Sequence, residues 1–196
     1  MSPKRRSDHY TRKAKALAYP ARSVFKLEEI DRRLGLIGKG ARVLDLGCSP
    51  GSWLKYASRR VGPSGRVVGV DLSEPRIQLP ANASFIAGDV FEIDRATLTA
   101  GLDGYDVVVS DMAPSTSGNT LVDQEGSFRL FDRALELAAR LLVPGGRFAG
   151  KLFFSPHHEE AVGRMKGLFA SVRTLRPRAT RSASKEVFVA GLGLKG

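Results

Sequence analysis

Two lysines and two carboxylates, Lys26, Asp111, Lys151 and Glu186, stand where chemistry could be done. Lys26 falls near the start of a predicted helix and Asp111 just after a predicted strand. Lys151 lies within a later strand and Glu186 opens the last one. A neutral amine placed against a sugar hydroxyl can remove its proton. A neighbouring cation and a partly dry pocket favour the neutral form, whereas carboxylates favour the charged form and are better suited to orienting the amines.

The elements that must position these residues follow from apolar spacing. Ser23 to Arg33 reads as a helix, with Ser23 as its cap and Val24, Leu27, Ile30 and Leu34 as a stripe at helical spacing. Gly35, Gly38 and Gly40 close it. The chain then alternates. Strands are predicted at 42–46, 66–71, 83–87, 105–110 and 147–153, with two more near 171–175 and 186–192. Helices are predicted at about 53–61, 124–142 and 157–169, the second ended by Pro144-Gly145-Gly146. The run Tyr105-Asp-Val-Val-Val-Ser110 suits a strand buried on both faces. Strand and helix in alternation predict an α/β fold with a doubly wound, mostly parallel sheet of seven strands. Ligands in such sheets bind beyond the carboxyl ends of the strands.

Asp45-Leu-Gly-Cys-Ser-Pro-Gly-Ser-Trp53 follows the first strand and opens a helix. Gly47 and Gly51 allow close approach of backbone to a ligand. The spacing is not the dinucleotide fingerprint, and no Gly-Lys-Ser/Thr makes a P-loop. Asp71, at the tip of strand two, can accept hydrogen bonds from ribose hydroxyls. Asp89, after strand three, can bind an adenine amino group. A bland alternative is that both acids only cap the turns after their strands. In order and at successive strand ends, they fit an S-adenosylmethionine pocket.

Composition narrows the partners. The 196 residues carry a net charge of +11 and suit one domain. Residues 1–40 hold eleven Lys/Arg against four Asp/Glu, and residues 164–186 hold seven against one. Residues 41–163 hold twelve against fifteen. Two basic flanks around a nearly neutral body suit a polyphosphate partner, most simply nucleic acid. Arg5, Arg6, Arg12, Lys13, Arg22, Arg32 and Arg33 form one flank; Arg173, Arg176, Arg178, Arg181 and Lys185 form the other. Residues 1–20 are expected to be a basic, loosely held arm, and 21–196 the folded domain. No stacking-aromatic RNA motif is evident. The single cysteine, Cys48, excludes an internal disulfide, and a cytoplasmic location is expected. No apolar run is long enough for a membrane span. No histidine spacing suggests a metal. A monomer is expected.

The chain resembles the FtsJ/RrmJ family of ribose 2′-O-methyltransferases. The resemblance rests on Ala21-Arg-Ser-Val-Phe-Lys-Leu27, Val43-Leu-Asp-Leu-Gly47 with Pro50-Gly-Ser-Trp53, Gly69-Val-Asp-Leu72 and Gly88-Asp89. It continues through Ser110-Asp-Met-Ala-Pro114, Thr116-Ser-Gly118, Gly150-Lys-Leu-Phe153 and Ser184-Lys-Glu-Val187. It implies a Rossmann-like class I methyltransferase domain whose last strand is antiparallel. It also implies S-adenosylmethionine as methyl donor and a uridine ribose of 23S rRNA as acceptor, on the assembled large ribosomal subunit. The implied catalytic set is Lys26, Asp111, Lys151 and Glu186. The implied cofactor contacts are Gly51, Trp53, Asp71, Asp89 and Asp111. Within that set Lys151 is read as the base, anchored by Asp111, and Lys26 as a positioning cation, held with Glu186. The four groups titrate as a unit, so the residues alone leave either lysine as the base. Two positions depart from the family pattern: Ser52 replaces a frequent glycine, and Phe188 replaces an aromatic that often carries a hydroxyl. Phe188 is assigned no catalytic role. Competing readings are an RNA-binding ribosome-assembly factor, a methyltransferase of another RNA and a dehydrogenase.

Overall fold

The computed structural model describes residues 9–99, 101–115 and 117–196. The first eight residues of the basic arm, including Arg5 and Arg6, and Thr116 lie outside them. Seven strands form one sheet: β1 (Arg42–Leu46), β2 (Arg66–Asp71), β3 (Ala83–Ala87), β4 (Tyr105–Ser110), β5 (Leu142–Phe153), β6 (Phe169–Leu175) and β7 (Glu186–Leu194). Their order is β3-β2-β1-β4-β5-β7-β6. Neighbours are parallel except β7, which runs antiparallel to β5 and to β6. The strand order reverses between β1 and β4. The crevice above that switch point is where a doubly wound sheet binds its ligand.

Six helices accompany the sheet among the described residues: α1 (His9–Ala16), α2 (Val24–Leu34), α3 (Ser52–Val61), α4 (Arg95–Thr99), α5 (Thr120–Leu141) and α6 (His157–Leu168). Strand alternation separates two cores. Leu44, Leu46, Val68, Val108 and Phe148 face Phe131, Leu135 and Ala138 of α5 and Met165 of α6. Val43, Val67, Val107, Val109 and Phe188 face Leu27 and Ile30 of α2 and Trp53, Leu54 and Ala57 of α3. Leu27 and Ile30 are fully buried, and burying each is worth about 1.5–3 kcal/mol. That burial holds α2, and with it Lys26, against the sheet.

Local details differ from expectation for physical reasons. Ser23 does not cap α2 through its side chain; its carbonyl instead accepts bonds from the Lys26 N–H and the Trp53 indole. Helix α5 begins four residues earlier than predicted, capped by the Asn119 side chain over the N–H groups of Leu121 and Val122. Leu121 and Val122 are exposed, so the apolar residues of that first turn stand outside the buried stripe, which begins at Ser127. Gly145 takes φ +80°, and the β4–β5 register shifts between Tyr105 and Val107. Pro144-Gly145-Gly146 thus ends the helix but forms an irregularity within a longer β5 rather than a free loop. Helix α1 lies in the segment expected to be a loose arm. It packs Ala14 and Tyr10 against Val24, Phe25 and Ala179.

Candidate active site

The topology of the sheet brings three of the four candidate residues, Asp111, Lys151 and Glu186, to one end. On the α2/α3 face, Asp45, Val109 and Ala149 form a row across β1, β4 and β5. One step nearer the carboxyl ends, Lys151 pairs with Phe188, while Gly47 and Asp111 follow directly on the last paired residues of β1 and β4. Glu186 pairs with Phe153 at the start of β7. The antiparallel β7 therefore starts at the end where the parallel strands finish. This puts Glu186 at that rim.

The side chains meet in two ion pairs. Lys151 Nζ lies 3.1 Å from Asp111 Oδ1 and donates a 2.6 Å bond to the Asp111 carbonyl. Because the amine bonds to the carbonyl, Asp111 Oδ1 keeps an open acceptor valence inside the protein. Lys26 Nζ lies 2.5 Å from Glu186 Oε1. All four side chains are largely shielded, with Lys151 7% exposed. Phe188 links the two pairs. Its ring lies 5.9 Å from Lys26 Nζ and 5.7 Å from the Trp53 ring, and its backbone is the register partner of Lys151.

The start of α3 holds the start of α2. Ser52 is buried, and its hydroxyl accepts from the Ala21 N–H at 2.8 Å and donates to the Ala21 carbonyl at 3.1 Å. The Trp53 indole N–H donates to Ser23 at 2.9 Å. Ser52 thus faces α2 rather than a ligand, and the Trp53 side chain is core. Any contact from Trp53 to a ligand must come from its backbone.

The pocket above the switch point, about 250 Å³, is lined by Gly47, Ser49, Asp71, Asp89, Asp111 and Met112 among others. Gly51 and Trp53 are not among its walls. A larger depression, about 620 Å³, sits at the opposite end of β2 and β3 and has no carboxylate in its lining, so size alone does not mark the site. Asp71 accepts from the Ser49 and Ser73 N–H groups, both at 2.9 Å. A carboxylate offers about four acceptor positions, so Asp71 retains capacity for two more donors. Asp89 accepts from the Phe91 N–H at 2.9 Å. Both acids therefore stabilise turns while also lining the pocket. Gly47 takes φ +79°, and a Cβ there would meet Met112 Cγ at 2.6 Å. Only glycine lets the β1 and β4 loops approach this closely.

Comparison with known proteins decides the family. The model of the FtsJ-like methyltransferases matches residues 19–194. The chain belongs to that family. It is 47% identical over 194 residues to the ribosomal RNA large subunit methyltransferase E of Sorangium cellulosum, covering 99% of this chain and 91% of that one. It is 46% identical to the protein of the same name from Oleidesulfovibrio alaskensis, over 98% and 94% of the two chains. Among solved structures, a ribosomal RNA methyltransferase from Plasmodium falciparum superposes with a TM-score of 0.79 at 23% identity, covering 91% of this chain and all of that one. That likeness concerns the fold.

As an FtsJ-like methyltransferase, the chain carries out methyl transfer from a bound donor, and its electrostatics bear on how the donor is held. Sequence reading missed Asp45 as a site group. It is fully buried, and neither of its oxygens has a hydrogen-bond partner. Burial, with Asp111 and Asp71 nearby, pushes its carboxyl well above the usual range. Its place inside the Val43-Leu-Asp-Leu-Gly47 strand was the available signal. Burial also raises the Cys48 thiol, helped by Asp45 and Asp71. A thiol held protonated is a poor nucleophile, so Cys48 serves packing. Among the described residues no cluster of three or more His, Cys, Asp or Glu could hold a metal ion, and no helix is long and apolar enough to cross a membrane.

Proposed function

We propose that the protein methylates a ribose 2′-oxygen of a uridine in 23S rRNA, acting as a cytoplasmic monomer on the assembled large ribosomal subunit. The observation that carries this reading is the pairing of Lys151 with Asp111 and of Lys26 with Glu186 at the rim of the donor pocket. The near-full-length similarity to large subunit rRNA methyltransferases supports rRNA as the acceptor.

The donor is S-adenosylmethionine, and the residues present fit it. Three acidic side chains, Asp71, Asp89 and Asp111, line the pocket at the ends of β2, β3 and β4, a setting suited to a cationic ligand. Asp71 has free acceptor positions for ribose hydroxyls, and Asp89 can accept from an adenine amino group. Asp111 would border the donor on the acceptor side, while Gly51 and Trp53, outside the pocket walls, shape the loop that carries Gly47 and Ser49. When bound, S-adenosylmethionine supplies an electrophilic methyl group on a sulfonium.

The chain's own residues then act on the acceptor. Lys151, when neutral, takes the proton of the 2′-hydroxyl as the oxygen becomes nucleophilic. Asp111 fixes the amine through both its carbonyl and its carboxylate. Lys26, held by Glu186, orients the ribose. The apolar wall of Phe188 and Trp53 keeps this corner dry. The basic residues of 176–185, namely Arg176, Arg178, Arg181 and Lys185, would contact phosphates without reading sequence.

The test is transfer of labelled methyl from S-adenosylmethionine to large subunits that lack the modification, followed by nucleoside analysis. Label on a uridine 2′-oxygen is expected. Label on a base, or none on subunits or free rRNA despite RNA binding, would overturn the assignment and favour an assembly factor.

A further inference from the structure

Beyond the two ion pairs, the rim carries an aromatic pair that the reaction above does not use. Phe154 follows β5 directly, three residues after Lys151, yet its side chain is 56% exposed. Its backbone is fixed on both sides. The Phe154 N–H donates to the Lys185 carbonyl at 2.7 Å, and its own carbonyl accepts from Gln124 Nε2 at 3.1 Å. The His158 ring sits 5.2 Å away, tilted by 44°, and is itself tied to Thr174 Oγ1 at 3.0 Å. Leaving more than half of a phenylalanine in water forfeits hydrophobic stabilisation. A fold that pins this backbone while leaving the ring in water presents a firm apolar surface.

The surroundings indicate what covers it. The carbonyl that holds Phe154 belongs to residues 176–185, which carry Arg176, Arg178, Arg181 and Lys185 and no acidic residue. The next residue after Lys185 is Glu186 of the reactive set. A rigid aromatic beside a basic segment and beside the acceptor site is the arrangement that binds single-stranded nucleic acid, with bases on the rings and phosphates on the cations. We propose that Phe154, backed by His158, is a stacking platform for a nucleobase of the acceptor RNA, within a nucleotide or two of the reacting ribose. This rests on the RNA reading of the preceding section and adds a base contact to it.

Methyl transfer to unmodified large subunits, with Phe154→Ala, Phe154→Leu and Phe154→Trp compared with the unaltered chain, tests the platform. Phe154→Ala should raise KM for the subunit about tenfold and leave kcat at saturation within about twofold. Phe154→Trp should keep the original KM, and Phe154→Leu should behave like Phe154→Ala. Thermal midpoints should stay together, because the ring is exposed. An unchanged KM in Phe154→Ala would overturn the proposal, and so would Phe154→Leu matching the unaltered chain. A parallel titration with a short single-stranded RNA oligonucleotide, read by anisotropy, separates the two readings. If the unaltered chain transfers nothing to subunits, the acceptor assignment fails. The platform then stands or falls on whether Phe154→Ala weakens oligonucleotide binding about tenfold.

Discussion

Lys151 lies in β5 and Asp111 directly follows the adjacent parallel β4 at the centre of the sheet, whereas Lys26 and Glu186 come from α2 and the start of the antiparallel β7. The first pair is set by strand register. Lys151 also bonds to a backbone carbonyl, so its amine would stay near its place if the Asp111 carboxylate turned away. The second pair depends on how α2 docks. Lys26 is positioned by Leu27 and Ile30 in the core, by Phe188 beside its amine, and by the grip of Ser52 and Trp53 on residues 21 and 23. The contrast suits a division of labour. The amine proposed as the base sits on a central strand of the sheet. The amine proposed to orient the ribose sits on a helix whose placement can be tuned from outside the sheet.

That comparison can be broken in graded steps. Lys26→Ala removes the orienting amine and leaves Glu186 without its partner. Its single-turnover methyl-transfer rate should fall about 100-fold, the size expected for a misplaced acceptor, while cofactor affinity from calorimetry stays unchanged. Trp53→Phe keeps an aromatic against Phe188 but loses the bond to Ser23. A loss of about tenfold in kcat is expected, with cofactor affinity unaffected. If the rate is unchanged, the grip of α3 on α2 does not matter for chemistry. Ser52→Ala removes two hydrogen bonds to Ala21, each worth about 1 kcal/mol. It should lower the thermal midpoint by a few degrees and kcat by roughly threefold. An equal effect on KM and none on kcat would mean that Ser52 acts on binding instead.

Asp45→Asn should change the rate least. Its informative effect is on pH dependence. Burial raises the native carboxyl above its unfolded value, so between those two values the folded state holds a proton that the unfolded chain has released. Stability contributed by that proton is present below the ordinary carboxyl range, near pH ~4, and declines as pH rises toward the native value. Thermal midpoints measured from pH 5 to 8 should therefore fall for the unaltered chain relative to Asp45→Asn. Parallel curves would show that Asp45 does not titrate in this way.

Much of the fold was legible because the sheet is buried on both faces. Continuous apolar runs such as Tyr105–Ser110 and glycine punctuation such as Gly35, the left-handed cap of α2, and Gly47 mark strands and turns strongly. Elements that bury little were not legible. Helix α1 contributes one buried residue, Ala14, and the five-residue α4 contributes only Leu98. Neither produces a periodic apolar pattern. At the site, spacing and motif indicated the four reactive residues and the pocket acids. The anchoring of α2 by Ser52 and Trp53 was not legible, because it depends on contacts about thirty positions apart. The orphaned state of Asp45 was hidden for a similar reason: one acid in an apolar strand can be paired or unpaired, and only packing decides.

Lys151 is proposed as the base. Its most direct test is the single-turnover methyl-transfer rate of Lys151→Ala at saturating large subunits and S-adenosylmethionine, with both affinities measured on the same protein. The account predicts a fall of about 1,000-fold with both dissociation constants within about threefold of the unaltered chain. A fall of less than about tenfold, or one fully matched by loss of cofactor affinity, would contradict it and move the proton-accepting role to Lys26.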